Sequence, residues 1–398
     1  MNILVIASWY INENNSIRGS FFREQAIALK KSGHKVTLIS VEQLPGKKCF
    51  SHYANKYREY LDEGVRTIIY YQVSFGSRPH LFHVGKKEFE FDPYLNRNLA
   101  GYKKLFMKLK RENEEFDIIH AHSFIPGGYS ACVLKNIFNA PIVITEHFSG
   151  IPAGKLSKHR LVGLKYTVEQ SDAFYCVSDN LAQHVKRITG TNKTIGVIPN
   201  ILSPLFFYDS NEKKYEKFTI VSVGQLIPRK RMDLLIDSFN NAFTAEDNVQ
   251  LIIAGDGDSR NSLQEQIDQL GLSNKITLLG RISRSDLSDL MRKCHAFVLM
   301  SKLETFGVVY IEAMACGLPT IGTYNGGSDE ILNSFECFGL KVDDKEGLIN
   351  LLKALYQGDV SVNSKTLSEQ IQKAYGEESI VYALNQAYNL ARGQEIAQ

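Results

Sequence analysis

Short apolar runs recur along the first half of the chain, separated by longer amphipathic stretches: "NILVIA" (2–7), "KVTLIS" (35–40), "RTIIYY" (66–71), "FDIIHAH" (116–122), "APIVITEH" (140–147), "DAFYCVS" (172–178) and "TIGVIPN" (194–200). Continuous apolar runs bounded by turns predict parallel strands covered on both faces. A polar break, "YDSNEKKYEKF" (Tyr208–Phe218), interrupts the rhythm, which then restarts with "FTIVSVG", "VQLIIAG", "KITLLG", "HAFVLM" and "LPTIGT". Strands alternating with helical stretches predict βαβ units, so the fold class is α/β, with two Rossmann-like, doubly wound parallel-sheet domains in tandem. The domains are expected over 1–204 and 205–375, with a helix over 376–398 packing back toward the first. No solenoid period or low-complexity segment appears.

Length agrees with that division, because 398 residues with 44% apolar content exceed what one core usually absorbs. Six scattered cysteines, Cys49, Cys132, Cys176, Cys294, Cys316 and Cys337, form no C-x-x-C pair. That argues against a disulfide framework or a zinc site and for a reducing, cytoplasmic setting. The opening "MNILVIASWY" has no basic leader and reads as a buried strand, not a signal peptide. No run approaches the roughly 20 apolar residues of a membrane span. Charge changes the picture more. Residues 1–204 hold 27 Lys+Arg against 17 Asp+Glu, and the remainder holds 19 against 26. A basic first half suggests an anionic partner, although solvated faces without a partner would give the same count.

Ligands of such sheets bind beyond the carboxyl ends of the strands. Glycine-bearing turns stand there: Gly19, Gly224, Gly255 with Gly257, and Gly326 with Gly327. Glycine permits positive φ and close backbone approach to a phosphate. The stretch "SKLETFGVVYIEAMACGLPT" (301–320) adds Glu304 and Glu312. A helix beginning near Phe306, with Gly307 and Val308, would present free amides to an anion. Glu304 would lie just outside it and Glu312 about 9 Å along its axis. That spacing suits a sugar diphosphate nucleotide, with Glu304 accepting sugar hydroxyls and Glu312 those of a ribose. A glycosidase pair would need both carboxylates to flank one bond. Lys230, with Arg229 and Arg231, follows Gly224, where cations could stabilise a leaving diphosphate. "DGD" (256–258) imitates a metal-binding D-x-D, but its place after "LIIAG" fits a glycine turn, and no metal is expected. His122 ends a strand, and a satisfied structural histidine is as good a reading of it as an active one.

"ETFGVVYIE" resembles the E-x7-E motif of retaining glycosyltransferase family 4, of GT-B fold. "DIIHAH", "TEH", "CVS", "VIPN", "VGQLIPRKRMDLLI" and "CGLPTIGTYNGGSDEI" are similar to that family's other blocks, in its order. The resemblance implies two domains facing a central cleft. A UDP- or GDP-linked sugar held by the second would pass to a glycan or lipid-diphosphate acceptor held by the first, in capsule, O-antigen or exopolysaccharide synthesis. It also implies His122 beside the transferred sugar, Gly19 against the phosphates, Lys230 on the diphosphate, Glu304 on the sugar and Glu312 on the ribose. Two departures stand out. Gln225 occupies a position where the family often has Arg, making Arg229 the candidate replacement, and Ile201-Leu202-Ser203 replaces the commoner Gly-Val-Asp. A sugar-nucleotide epimerase of the same fold and an inactive nucleotide-sugar-binding subunit are the alternatives. No nucleic-acid partner is expected. Two basic stretches, "GYKKLFMKLKREN" (101–113) and "GKLSKHRLVGLK" (154–165), point to peripheral contact with an anionic membrane at the inner face of the plasma membrane, although the first precedes a strand and its apolar face fits a helix that covers the sheet.

Overall fold

The computed structural model describes residues 1–11, 18–45, 54–74 and 93–394, so Cys49 lies outside the described residues. Two units divide the chain, Met1–Pro199 with Ile380–Gln398, and Asn200–Ser379. The first boundary stands a few residues ahead of the expected 204/205, and the return to the first unit comes at Ile380, a few residues beyond 375/376.

The first unit contains β1 (Asn2–Ala7), α1 (Ser20–Lys31), β2 (Lys35–Pro45), β3 (Tyr57–Asp62), β4 (Val65–Ser74), α2 (Pro93–Arg111), β5 (Ile118–His122), α3 (Tyr129–Val133), β6 (Ile142–Glu146), α4 (Lys158–Gln170), β7 (Ala173–Cys176), α5 (Asp179–Thr189) and β8 (Ile195–Val197). Its eight strands run in the order β3-β4-β2-β1-β5-β6-β7-β8. All neighbours are parallel except β3, which is antiparallel to β4. β3 escaped the apolar pattern because it is an exposed edge strand, "YREYLD". At its turn Glu63 and Gly64 both take positive φ, 47° and 83°, as a two-residue hairpin requires.

The central strands need no alternation, since both faces are covered. Ile3, Leu4 and Ile6 in β1 and Ile118, Ile119 and His120 in β5 are all fully buried. The α2 helix supplies part of that cover with Tyr102, Leu105, Phe106 and Leu109, none of them exposed. The Tyr102 hydroxyl donates to the Ala7 carbonyl at 2.9 Å, which fastens the helix to the end of β1.

The second unit contains β9 (Phe218–Val223), α6 (Met232–Ala242), β10 (Val249–Ala254), α7 (Arg260–Gln269), β11 (Ile276–Gly280), α8 (Arg284–Lys293), β12 (Ala296–Leu299), α9 (Val308–Ala315), β13 (Thr320–Tyr324), α10 (Asp329–Ser334), β14 (Phe338–Lys341), α11 (Lys345–Gln357) and α12 (Ser364–Tyr375). Its parallel sheet has the order β11-β10-β9-β12-β13-β14. The short edge strand β14 was not expected from the sequence, being only "FGLK" with partial burial.

Helix α13 (Glu377–Ala391) completes the chain's regular structure and carries residues from Ile380 onward into the first unit. Buried Tyr388 pairs there with His120 Nδ1 at 2.8 Å, and Asn385 with His34 Nε2 at 2.9 Å. Each sheet changes direction once, between β1 and β5 in the first unit and between β9 and β12 in the second. The crevice at such a switch point is where doubly wound sheets bind ligands.

Candidate functional site

Each unit carries its candidate residues at its own switch point. In the first, His122 ends β5 and Gly19 precedes α1, the helix that follows β1. Gly19 is left-handed, with φ 73°, and a Cβ there would stand 2.5 Å from the Trp9 carbonyl oxygen. The turn delivers Phe22 onto His122, with ring centroids 4.5 Å apart and planes 24° from parallel.

His122 is 1% exposed, and its Nδ1 lies 3.2 Å from His147 Nε2. Its Nε2 is buried with no hydrogen-bond partner among the described residues. Burial, and then the neighbouring His120 and His147, hold the imidazole pKa well below its ordinary value. The ring is therefore neutral, with one polar atom unsatisfied. His120 differs, because both nitrogens are engaged, Nδ1 with Tyr388 and Nε2 with Thr145 at 2.9 Å, and burial lowers it to about 3. The pair "HAH" thus divides into a satisfied structural histidine and one with an open position.

Glu146 supports this half. Fully buried, it accepts from the backbone amides of Phe124 at 2.6 Å, His147 at 2.8 Å and Phe148 at 2.7 Å. Burial raises its pKa against the pull of those three bonds. A charge at the end of an apolar run was the available signal, though the sequence reading treated "TEH" only as a block and missed both Glu146 and His147.

In the second unit Lys230 and Glu304 meet across the switch point, Nζ to Oε1 at 2.5 Å, with side chains only 12% and 11% exposed. Helix α9 starts at Val308, two residues later than a start at Phe306. Gly307 is its left-handed N-cap, with φ 92° and no side-chain cap, so no side chain covers the first helical amides. A Cβ on Gly307 would come within 2.5 Å of the Tyr310 ring, and the Tyr310 hydroxyl donates to the Leu299 carbonyl at 2.8 Å. Phe306 is buried against Tyr375, centroids 5.5 Å apart, while Val308 is half-buried.

Glu312 therefore sits one turn into α9, about 6 Å along the axis from Val308 and not 9 Å. It is 1% exposed, and Arg284 Nη2 approaches its Oε1 at 2.8 Å. The two form an ion pair. Burial raises the Glu312 pKa, and Arg284 pulls it back down. Arg284 also lies over the Phe206 ring, 5.1 Å from its centroid. The sequence reading missed Arg284, because an arginine opening an amphipathic helix carries no signal of its own.

Arg229 has a buried Nε without a hydrogen-bond partner among the described residues, while Gln225 is exposed. Gly224 stands beside the Lys230 stem, where a Cβ would meet Cδ at 3.5 Å, an ordinary contact. Other glycines of this edge do something the sequence reading did not foresee. Cβ atoms on Gly255, Gly257 and Gly327 would lie 1.9, 2.4 and 2.1 Å from the carbonyl oxygens of Gly224, Leu226 and Glu304. Their α-carbons stand against the carbonyls of neighbouring loops. In "DGD", Asp256 accepts from the Gly257 amide at 2.9 Å and Asp258 is exposed. Among the described residues no three metal-ligating side chains gather.

Of the two basic stretches, 101–113 turns its apolar side into the core, and Lys108 is occupied by Glu59 and Glu112. In 154–165 the face of α4 is open, with Lys158 and Lys165 exposed beside Val162 (50%) and Tyr166 (38%). Among the described residues no helix is long and apolar enough to cross a membrane.

Comparison with known proteins gives two family matches in tandem. The family described as "Glycosyltransferase Family 4" matches residues 19–204, and that described as "Glycosyl transferases group 1" matches 207–376. An uncharacterized glycosyltransferase of Methanocaldococcus jannaschii is 34% identical over 56% of this chain and 60% of its own length. The N-acetyl-alpha-D-glucosaminyl L-malate synthase of Bacillus anthracis is 27% identical over 61% of this chain and 65% of its own. The phosphatidylinositol N-acetylglucosaminyltransferase gpi3 subunit of Schizosaccharomyces pombe is 28% identical over 66% and 58%. The chain thus spans about three-fifths of the curated relatives it matches. Among solved structures, sucrose-phosphate synthase of Thermosynechococcus elongatus is similar with a TM-score of 0.75, 18% identity and 98% coverage of both chains. Anabaena HepE, in complex with UDP and glucose, is similar with a TM-score of 0.72 and 17% identity over 97% of this chain and 99% of that one. These likenesses show the GT-B fold.

The buried histidines predict a pH dependence. His120 and His122 stay neutral in the fold but take up a proton in the unfolded chain below its ordinary pKa. Depressed folded values mean that the unfolded state binds more protons, so this contribution is level above about pH 7 and stability falls on acidification, by about 1.4 kcal/mol per pH unit per histidine. Between pH 7.5 and 5.5 wild type should lose about 1.4 kcal/mol more stability than His122→Asn on denaturation, an average slope difference of about 0.7 kcal/mol per pH unit. Equal slopes would show that His122 titrates normally.

Proposed function

The chain belongs to the family 4 type of GT-B glycosyltransferases, and from that premise we propose that it moves a sugar from a nucleoside diphosphate sugar to a glycan or lipid-linked acceptor, with retention of anomeric configuration and without a metal ion. The observation that carries this reading is the Lys230–Glu304 pair at the switch point beside the open N-terminus of α9, with Glu312 one turn further on.

Each group then has a task. The Lys230 ammonium and the first amides of α9 take the diphosphate, where a fixed cation and a helix dipole stabilise the charge that grows as the bond to the sugar breaks. The buried Nε–H of Arg229 supplies a second donor in place of the arginine absent at 225. Glu304, held by Lys230, keeps an oxygen for hydroxyls of the sugar, and Glu312 accepts from the ribose. His122 presents its unsatisfied Nε2 to a sugar hydroxyl, and the Gly19 backbone approaches the phosphates. The acceptor hydroxyl attacks the anomeric carbon on the face that the nucleoside diphosphate leaves, and the departing phosphate oxygen takes the hydroxyl proton. The names of relatives from Bacillus anthracis and Schizosaccharomyces pombe favour an N-acetylglucosaminyl donor, and the UDP bound by HepE favours a uridine nucleotide. Capsule, O-antigen or exopolysaccharide synthesis in the cytoplasm, at the inner membrane face, is the setting we propose.

A thermal-shift panel of UDP-glucose, UDP-N-acetylglucosamine and GDP-mannose tests the reading, since a ligand bound by the native state alone raises its melting temperature. Glu312→Ala should weaken donor binding, and Glu304→Ala should reduce turnover at least as much as affinity, each lost bond to a charged acceptor costing about 1.5–3 kcal/mol. Transfer should survive EDTA. Wild-type activity in both variants would remove the site assignment, and loss on chelation with recovery by Mn²⁺ would turn "DGD" into a ligand set.

The open face of α4 supports peripheral membrane attachment by the first unit. Each basic side chain near an anionic leaflet contributes about 1 kcal/mol, which salt screens away. Flotation should carry the protein up with anionic vesicles at low salt, and Lys158→Glu with Lys165→Glu should abolish this. Equal sedimentation with neutral and anionic vesicles would favour a soluble acceptor.

A further inference from the structure

We propose that Arg284 is a positioning residue of the donor site: it keeps the buried Glu312 carboxylate ionised and oriented, so that the nucleotide's ribose meets an anion and not a protonated acid. This rests on the donor-site reading above.

The argument starts from desolvation. Glu312 is 1% exposed, and a carboxylate removed from water without a counter-charge gives up its charge by taking a proton. A protonated carboxyl has an O–H donor and reduced acceptor capacity, a poor match for two ribose hydroxyls that both donate.

The counter-charge comes from outside the E-x7-E segment. Arg284 opens α8, one residue after the Ser283 N-cap, whose hydroxyl accepts from the Asp286 amide at 3.1 Å. Its guanidinium lies over Phe206 at 5.1 Å and reaches Glu312 at 2.8 Å. An arginine suits this place because its plane can lie on an aromatic face while its edge addresses a carboxylate. One guanidinium contact leaves the carboxylate's other lone pairs open to ribose hydroxyls.

Other groups near Glu312 do not substitute for Arg284. Along α9 the Cys316 thiol is kept protonated, pushed up to about 12 by burial. From α12, Ser364 and Ser368 donate to the carbonyls of Gly317 and Ala315, and Lys365 is 75% exposed and turned to Glu369 at 4.0 Å. β13 brings Thr323, whose hydroxyl bonds the Ser301 carbonyl. Arg292 and Lys214 also act on Cys316, but Arg292 is paired with Glu212 and Asp289 and Lys214 donates to the Cys294 carbonyl, so among the described residues Arg284 is the cation paired with Glu312.

The experiment is calorimetric titration of the full chain with UDP and with GDP, from pH 6 to 9, comparing wild type with Arg284→Met, Arg284→Lys and Glu312→Gln. The quantity read is the ratio of variant to wild-type Kd, which cancels titration of the nucleotide itself. Arg284→Met should bind the preferred nucleotide about tenfold or more weakly near pH 6.5, with the ratio falling toward one as Glu312 ionises at higher pH. Arg284→Lys, which keeps the cation, should hold a flat ratio within about threefold, roughly half the logarithmic loss of the Met variant. A 2′-deoxy nucleotide should shrink the Met penalty.

Wild-type binding to neither nucleotide, or unchanged binding by Glu312→Gln, overturns the donor-site reading itself. With that reading intact, an Arg284→Met ratio of one at every pH overturns the role of Arg284, as does a loss independent of pH. Tighter binding by Arg284→Met would make the arginine a competitor of the ribose and overturn the proposal as well. If the Met variant does not fold, the Lys variant decides, a tenfold loss independent of pH being the result against it.

Discussion

The Lys230–Glu304 ion pair is the contact on which the second unit's candidate site depends. Its partners come from loops after adjacent strands β9 and β12, and both side chains are nearly enclosed. Neither charge would be tolerable there alone, since stripping one partner from a buried pair typically costs about 3–5 kcal/mol. The pair therefore ties the two loops at the point where the sheet changes direction. It also holds, side by side, a cation suited to phosphate and a carboxylate suited to sugar hydroxyls.

Loop backbones make that enclosure possible. Gly255 brings its α-carbon against the Gly224 carbonyl, Gly257 against that of Leu226, and Gly327 against that of Glu304. The last contact is reinforced by a parallel bridge between Glu304 and Gly326. Any side chain at these three places would push the loops apart and, with them, Lys230 from Glu304. The glycines support the charges at one remove, by letting three turns share a space that side chains would fill.

How much of this was legible in the chain follows from what each signal encodes. Central strands announce themselves because burial on both faces demands unbroken apolar runs, and β1 and β5 are of that kind. The edge strands β3 and β14 lack that demand and left weak traces. At the site, Lys230, Glu304 and Glu312 stood out because charge beside turn glycine is conspicuous. Arg284, Phe206, Glu146 and His147 did not, because they act by long-range pairing. Arg284 reaches across from a different helix, and no spacing along one segment encodes such a meeting. The α2 segment allowed two readings. Basic residues at helical spacing fitted a partner surface or a helix whose apolar face covers the sheet, and that face does pack into the core, with Lys108 paired to Glu59 and Glu112.

The two units treat buried polarity in opposite ways. In the first, His120 and His122 meet desolvation as neutral rings, and Glu146 meets it through three backbone amides. In the second, desolvation is met by pairing, Lys230 with Glu304 and Arg284 with Glu312. Neutral imidazole can orient a hydroxyl without attracting a diphosphate, whereas paired cations can turn toward an incoming anion while their carboxylates remain acceptors. On the proposed reading, a polyanionic donor would be drawn to the second unit's switch point. The first unit's switch point, with its unsatisfied His122 Nε2, is left for an uncharged hydroxyl. That division of charge, more than the motif spacing, is the physical reason for proposing that the diphosphate is met by the second unit, while sugar hydroxyls are met by neutral His122 as well as by Glu304.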